Sequence, residues 1–152
     1  MRVSAKTDYA LRAMAELAAA PAGPVKGERI ATAQGIPLKF LENILTELRR
    51  AELVATQRGA EGGYRLARPA DEISLADVIR AVDGPLANVR GERPDTVTYV
   101  GPAEPLHDVW LAVRANLRAV LETVTLADLA AGRLPDEVAG LAVSGRRARS
   151  SA

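Results

Sequence analysis

Gly59, Gly62 and Gly63 stand between Arg58 and Arg65 in "TQRGAEGGYRLARPADEISLADVIRAVDG", residues 56–84. Glycine lets a backbone approach a phosphate closely, and a guanidinium beside it supplies the charge. Two arrangements use that chemistry. A phosphate-cradling loop sets its glycines between a strand and a helix N-terminus, where amides converge. A wing sets them at a hairpin tip along nucleic acid, where an arginine can enter a narrow, electronegative minor groove. Here "LVATQR" and "YRLAR" are short β-prone segments joined by "GAEGG", and no Lys-Ser/Thr follows the glycines. The context favours the wing. An ordinary hairpin with solvated arginines is the plainer alternative.

A second set lies just upstream. Lys39, Glu42, Asn43 and Thr46 in "GIPLKFLENILTELRRAE" are spaced to share one face of a helix whose apolar stripe is Leu38, Leu41, Ile44, Leu45 and Leu48. Asn can bond adenine through two hydrogen bonds, Glu can accept from cytosine, and Lys can serve guanine or phosphate. Arg49 and Arg50, further along, suit phosphate contacts. For each of these residues a solvated helix face competes. Residues 1–70 carry 11 Lys/Arg against 7 Asp/Glu, and residues 71–143 carry 6 against 12. That asymmetry points to an anionic partner for the first half, although scattered surface charge gives similar counts.

Enzymatic chemistry finds no support. The chain has no cysteine and one histidine, His107, and no paired carboxylates fall on a shared predicted face. Disulfides, thiolate metal sites and cysteine nucleophiles are excluded. Met1 leads into a charged, amphipathic stretch, with no apolar run long enough for a signal peptide or membrane span. A cytoplasmic protein is expected.

The elements that must position these residues are well punctuated. Ser4 caps a helix over about 5–19, carrying Leu11, Met14, Leu17 and Ala18 on one face. "PAGPVKG" stops it, a short helix with Ile30 and Ala31 inward runs over about 27–34, and Gly35 ends that one. Pro37 suits the first turn of the third helix. Two helices joined by a tight glycine turn, then a helix-linked hairpin, make a mainly α winged helix-turn-helix. Ser74 and Asp77 cap a fourth helix with Val78, Ile79 and Val82 inward, ended by Gly84 and Pro85.

A DNA-binding domain is thus expected over 1–84 and a linker or sensor loop over 85–105. A dimerisation helix with a short helix after it follows over 106–132, and a flexible tail over 133–152. Leu106, Trp110, Val113, Leu117, Val120 and Val124 repeat at 4-3 spacing over 106–124, a seam for a second copy of the same helix. Packing back onto its own domain is the alternative. Thr125 and Asp128 cap the short helix, and "SGRRARSSA" reads as a disordered polar tail.

These stretches together resemble the Rrf-two family, the IscR/NsrR-type winged helix transcriptional regulators. The resemblance rests on "SAKTDYALRAMAELA", "GIPLKFLENILTELRRAELV", "RGAEGGYRLAR", "ISLADVIRAVDG" and "HDVWLAVRANLRAVLETVTLADLA" and covers about residues 1–132. It implies a homodimer on a near-palindromic double-stranded DNA operator, and the leading reading of the chain is a sequence-specific transcriptional repressor. The third helix and the wing would touch DNA, and the long helix would cross its partner's. It also implies that Glu42 and Asn43 read bases while Arg58 reaches the minor groove. The alternative from another class is a protein–protein adaptor that keeps the scaffold without binding DNA.

One departure is plain. Many members hold an iron–sulfur cluster on three cysteines before the long helix, whereas "NVRGERPDTVTYVGPAEPLHDVW" has none. Glu104 stands about where the last cysteine is expected, while His107 and Trp110 keep their places. One imidazole and scattered carboxylates replace thiolates poorly, so no cofactor or metal is expected, and the loop is left free to sense a small molecule or protein effector. The purified protein should be colourless and should bind its operator equally well after exhaustive chelation. A visible absorbance band in anaerobically purified protein, lost on His107→Ala, would restore Glu104 and His107 as ligands.

Overall fold

Ser4 ends the extended start of the chain, its hydroxyl accepting from the Thr7 amide at 3.1 Å, and helix α1 follows over Ala5–Ala19. In the computed structural model, which describes residues 2–150, α1 buries Thr7, Ala10, Ala13, Met14 and Leu17. Leu11 and Ala18, expected on that face, lie at its half-buried margins. Helix α2 spans Gly27–Gln34 and stops where Gly35 turns left-handed at φ 62°. Helix α3, Leu38–Arg50, starts after Pro37 and buries Leu41, Ile44, Leu45 and Leu48. Removing such side chains from water is worth about 1.5–3 kcal/mol each before entropy is counted. Leu38 leaves the expected stripe and is 36% exposed. It sits in the first turn of α3, beside Gly27 of α2 rather than over the core.

Strands β1, Val54–Gln57, and β2, Gly63–Leu66, pair antiparallel in the register Val54↔Leu66 to Gln57↔Gly63. A third piece joins them. Val25 bridges Tyr64, each amide donating to the other's carbonyl at 2.7 Å. The hairpin is therefore fastened to the segment that leads into α2.

Helices α4, Leu75–Asp83, and α6, Leu126–Ala131, begin side by side. Each carries a complete capping box, Ser74 with Asp77 and Thr125 with Asp128. The two caps are stitched together, since the Leu75 amide donates to the Val124 carbonyl and the Leu126 amide to the Ile73 carbonyl, both at 3.0 Å. Leu126 consequently shares the core with Met14, Leu45 and Val78. The structure thus joins α6 to the core of residues 1–84 instead of leaving it with the long helix. In α4 the buried side chains are Ala76, Val78 and Val82, with Ile79 half-buried.

Helix α5 spans Leu106–Leu121 and buries no side chain fully. The segment before it crosses without regular helix or strand apart from a 3-10 turn at Gly101–Ala103, yet it is anchored: Pro94 and Val97 are buried. Val124, expected in the exposed seam of the long helix, requires correction. It lies beyond the end of α5 and is only 2% exposed, because the stitch to α4 draws it into the protomer's own interior. A second correction concerns the carboxy-terminal region. Where the sequence suggests a flexible tail, helix α7 runs over Asp136–Ser150, exposed at nearly every position described. Its alanines and arginines favour a helix and no proline interrupts it, whereas Gly140 and Gly145 oppose it. No helix among the described residues is long and apolar enough to cross a membrane.

The hairpin glycines have a packing reason that composition does not disclose. A Cβ on Gly62 would stand 2.1 Å from the Gln57 carbonyl oxygen, and one on Gly63 2.5 Å from that of Val25. Both obstacles are backbone, which cannot step aside as a flexible side chain can. Gly62→Ala and Gly63→Ala should each lower unfolding free energy by about 1–3 kcal/mol or more in urea titrations. Glu61→Ala at the exposed tip should stay within about 0.5 kcal/mol. A Gly63→Ala protein as stable as the wild type would mean that β2 does not approach Val25 as described.

Candidate nucleic-acid interface

The interface is built from the turn between α2 and α3 outward. Gly35 and Ile36 both donate their amides to the Ala31 carbonyl, and Ile36 is buried at 4% exposure. That pins the turn from below. From the side it is held by Arg12 of α1, whose guanidinium donates to the Gln34 carbonyl at 2.7 Å and pairs with Asp8 at 3.0 Å. The same guanidinium lies 4.8 Å from the Tyr9 ring centre, and Tyr9 meets Phe40 of α3 edge-on at 5.6 Å. A chain of contacts from Arg12 through Tyr9 to Phe40 therefore sets where α3 begins. Little in the sequence marks this support. An arginine one turn past an aspartate on α1 was its only visible sign.

On the outer face of α3, Lys39, Glu42 and Asn43 are exposed, as are Arg49 and Arg50 in the last turn. None of these side chains has a hydrogen-bond or ion-pair partner among the described residues. Thr46 differs. It is half-buried, and its hydroxyl donates back to the Glu42 carbonyl at 2.9 Å, so its proton is committed within the helix and only its oxygen remains to accept. Glu47, next along, pairs with Lys6 of α1 at 2.8 Å and steadies α3 against α1. The two arginines also sit at the helix C-terminus, where positive charge is favourable without any ligand.

In the hairpin, Arg58 follows β1 directly and Arg65 faces Ala55 across the ladder, both exposed and unpartnered among the described residues. Arg68 is different, lying 3.8 Å from Asp77. Gly27 is the point at which the two halves converge: a Cβ there would lie 3.5 Å from the Tyr64 ring and 3.8 Å from Leu38. The start of the α3 face and the base of the hairpin therefore meet at α2's first residue. Lys26, not singled out from the sequence, is exposed there and lines a groove of about 440 Å³ with Gln57, Gly59 and Gly62. A lysine immediately before a helix-opening glycine was the available signal.

The loop expected to hold a cluster in related proteins offers a poor donor set. Glu104 is exposed at the end of the 3-10 turn, and a His107 ring nitrogen lies 3.2 Å from Asp108. No three His, Cys, Asp or Glu residues are grouped to hold a metal among the described residues. Trp110 has a different engagement, its indole donating to the Tyr99 hydroxyl at 2.9 Å. Along the expected seam Leu106 is 38% exposed, and Trp110, Val113, Leu117 and Val120 are all half-buried.

The chain is similar to known proteins over most of its length. The family model Rrf2, iron-dependent transcriptional regulator, matches residues 3–132. Rv1287 of Mycobacterium tuberculosis, a candidate HTH-type transcriptional regulator, is 57% identical over 143 residues, covering 93% of this chain and 89% of its own. The solved structure of CymR, the global cysteine regulator of B. subtilis, superposes with a TM-score of 0.75 at 33% identity, covering 88% of this chain and 99% of that one. T. potens IscR gives a TM-score of 0.68 at 35% identity, covering 85% of each chain.

Proposed function

We propose, from the fact that this chain belongs to the Rrf2 family of DNA-binding transcriptional regulators, that it acts as a homodimeric, sequence-specific repressor on a near-palindromic operator. The observation that carries this is the set of exposed, unpartnered side chains on α3 and the hairpin, joined at Gly27. A helix face offering Lys39, Glu42 and Asn43 has the donors and acceptors to distinguish base pairs in a major groove. Arg58 is the minor-groove charge, and Arg49, Arg50, Arg65 and Lys26 meet phosphates. Thr46 contributes only as an acceptor.

The second copy is proposed for α5. A helix of 16 residues that buries none of them, yet carries Leu106, Val109, Trp110, Val113, Leu117 and Val120, leaves an apolar face in water. Covering it with its own symmetry mate removes that cost and produces the two-fold arrangement that two half-sites require. Iron dependence, carried in the family description, is where this chain departs. Without a thiolate and with His107 beside Asp108, the donors do not suit a cluster, and regulation proceeds through another signal. CymR is a cysteine regulator, which makes sulfur metabolism the first field in which to seek operators.

Titrations on operator DNA test the interface. Arg58→Ala should weaken binding, more strongly where the flanks are A/T-rich, while leaving the melting temperature unchanged. Asn43→Ala should cost about 1–3 kcal/mol at one base pair and relax preference there. Arg49→Ala should weaken all sequences alike and reduce the salt slope by roughly 1. If Arg58→Ala and Asn43→Ala both bind as the wild type does, the adaptor alternative takes precedence.

Sedimentation tests the dimer. The wild type should sediment as a dimer at micromolar concentration, and Trp110→Asp with Leu117→Asp as a monomer, because each places a charge in a dry seam. A monomeric wild type would end the claim.

A further inference from the structure

Between residues 71 and 143 the chain is acidic, with six Lys/Arg against twelve Asp/Glu. Four of those six cations nevertheless line one groove. Arg80 comes from α4, Arg93 from the linker, and Arg114 and Arg118 from α5, around a floor of Gly84, Pro85 and Leu86. Its volume is about 340 Å³, enough for a small metabolite.

Two carboxylates answer the four guanidinium groups. Glu122 accepts from Arg80 and, at 3.0 Å, from Arg118. Asp95 accepts twice from Arg93, at 3.1 and 3.0 Å, and stands 3.7 Å from Arg114. Each carboxylate is shared by two arginines, so the cluster keeps two uncompensated positive charges. Hydrogen bonds from Arg80 and Arg118 hold the Glu122 carboxyl below its ordinary value. A backbone hydrogen bond, then Arg93 and Arg114, do the same for Asp95. Most guanidinium donors also remain without protein partners: Arg80 and Arg118 use one each, Arg93 uses two, and Arg114 makes only the longer ion pair. Folding alone gives no reason to gather like charges so closely, since partly exposed pairs contribute little stability.

We propose that this groove binds a small dianion, a metabolite presenting phosphate or carboxylate oxygens on a short carbon skeleton. Forked guanidinium groups match such oxygens through paired hydrogen bonds, and Pro85 and Leu86 offer the carbon skeleton an apolar floor. The ligand would bridge α4, which shares the DNA-binding core, to α5, which carries the proposed dimer seam. Its affinity then depends on how α5 sits against that core, and operator affinity responds reciprocally. This consequence for DNA rests on the proposed function, whereas the binding itself does not.

The test uses the full chain without DNA. Isothermal calorimetry and thermal melting are run with inorganic phosphate, glycerol 3-phosphate and succinate, against sodium chloride at equal ionic strength. At least one dianion should bind and raise the melting temperature beyond the chloride control. The glycerol 3-phosphate and succinate arms identify the preferred head group. Arg93→Gln with Arg114→Gln should weaken that binding roughly tenfold or more. Arg90→Gln with Arg133→Gln, an equal loss of charge outside the groove, should leave it intact. Dianions that act no differently from chloride would overturn the proposal. So would an equal loss in both double variants, which would reduce the effect to net charge. Gel shifts with and without the bound dianion then read the coupling. Dianion binding by a protein that binds no DNA would leave the groove standing and remove the regulator reading. DNA binding without dianion binding would do the reverse.

Discussion

The close approach of three helices to α1 is the constraint on which the remaining structure depends. Ala10 and Ala13 are fully buried, and α1 packs against α3, α4 and α6 as well as α2 and β2. A methyl side chain at those positions lets helix backbones come together, and interiors at crystal-like density have no room for more. Met14 and Leu17 fill the gaps on either side. The start of α1 is equally committed: buried Thr7 donates to the Asp83 carboxylate at 2.9 Å, tying it to the end of α4. Arg12, from the same helix, holds the turn that aims α3. The proposed recognition helix α3 is held in place by a helix that makes no proposed base contact.

With α1 occupied on so many sides, α5 finds no place in the core. The stitched starts of α4 and α6 take the remaining space, and Val124 and Leu126 enter it. The chain between α4 and α6 must therefore leave and return within a fixed span, so α5 is presented outward as the long arm of a closed loop. An amphipathic helix whose apolar face cannot reach its own core needs some other partner. The same loop brings Arg93, Arg114 and Arg118 beside Arg80, so one exclusion from the core creates both the apolar seam and the charged groove.

The wing shows how a correct local pattern can have a further cause beside the one first assigned. Glycines between two β-prone segments do mark a hairpin, but Gly62 and Gly63 also answer to the carbonyls of Gln57 and Val25. Gly59, with φ 101° and open space around it, meets the expectation of a purely conformational glycine. The pairing of Val25 with Tyr64 is what turns a marginal two-stranded hairpin into an anchored element.

Sequence alone determined what depends on neighbours a few residues apart. The Ser4, Ser74 and Thr125 caps, the Gly35 stop, the α3 stripe and the hairpin pattern are all local. The family motif added the fold and the class of activity, because those stretches occur together over most of the chain. Only the tertiary structure decided which side chains remain free. Thr46 looked equivalent to Asn43 on the same face until its hydroxyl was found on the Glu42 carbonyl. Val124 continued a heptad until the stitch to α4 drew it inward. Arg80, Arg93, Arg114 and Arg118 lie on three separate segments and gave no pattern at all. Spacing along a chain reports helical and strand faces, whereas the partner of a face is set by contacts distant in sequence, which no periodicity encodes.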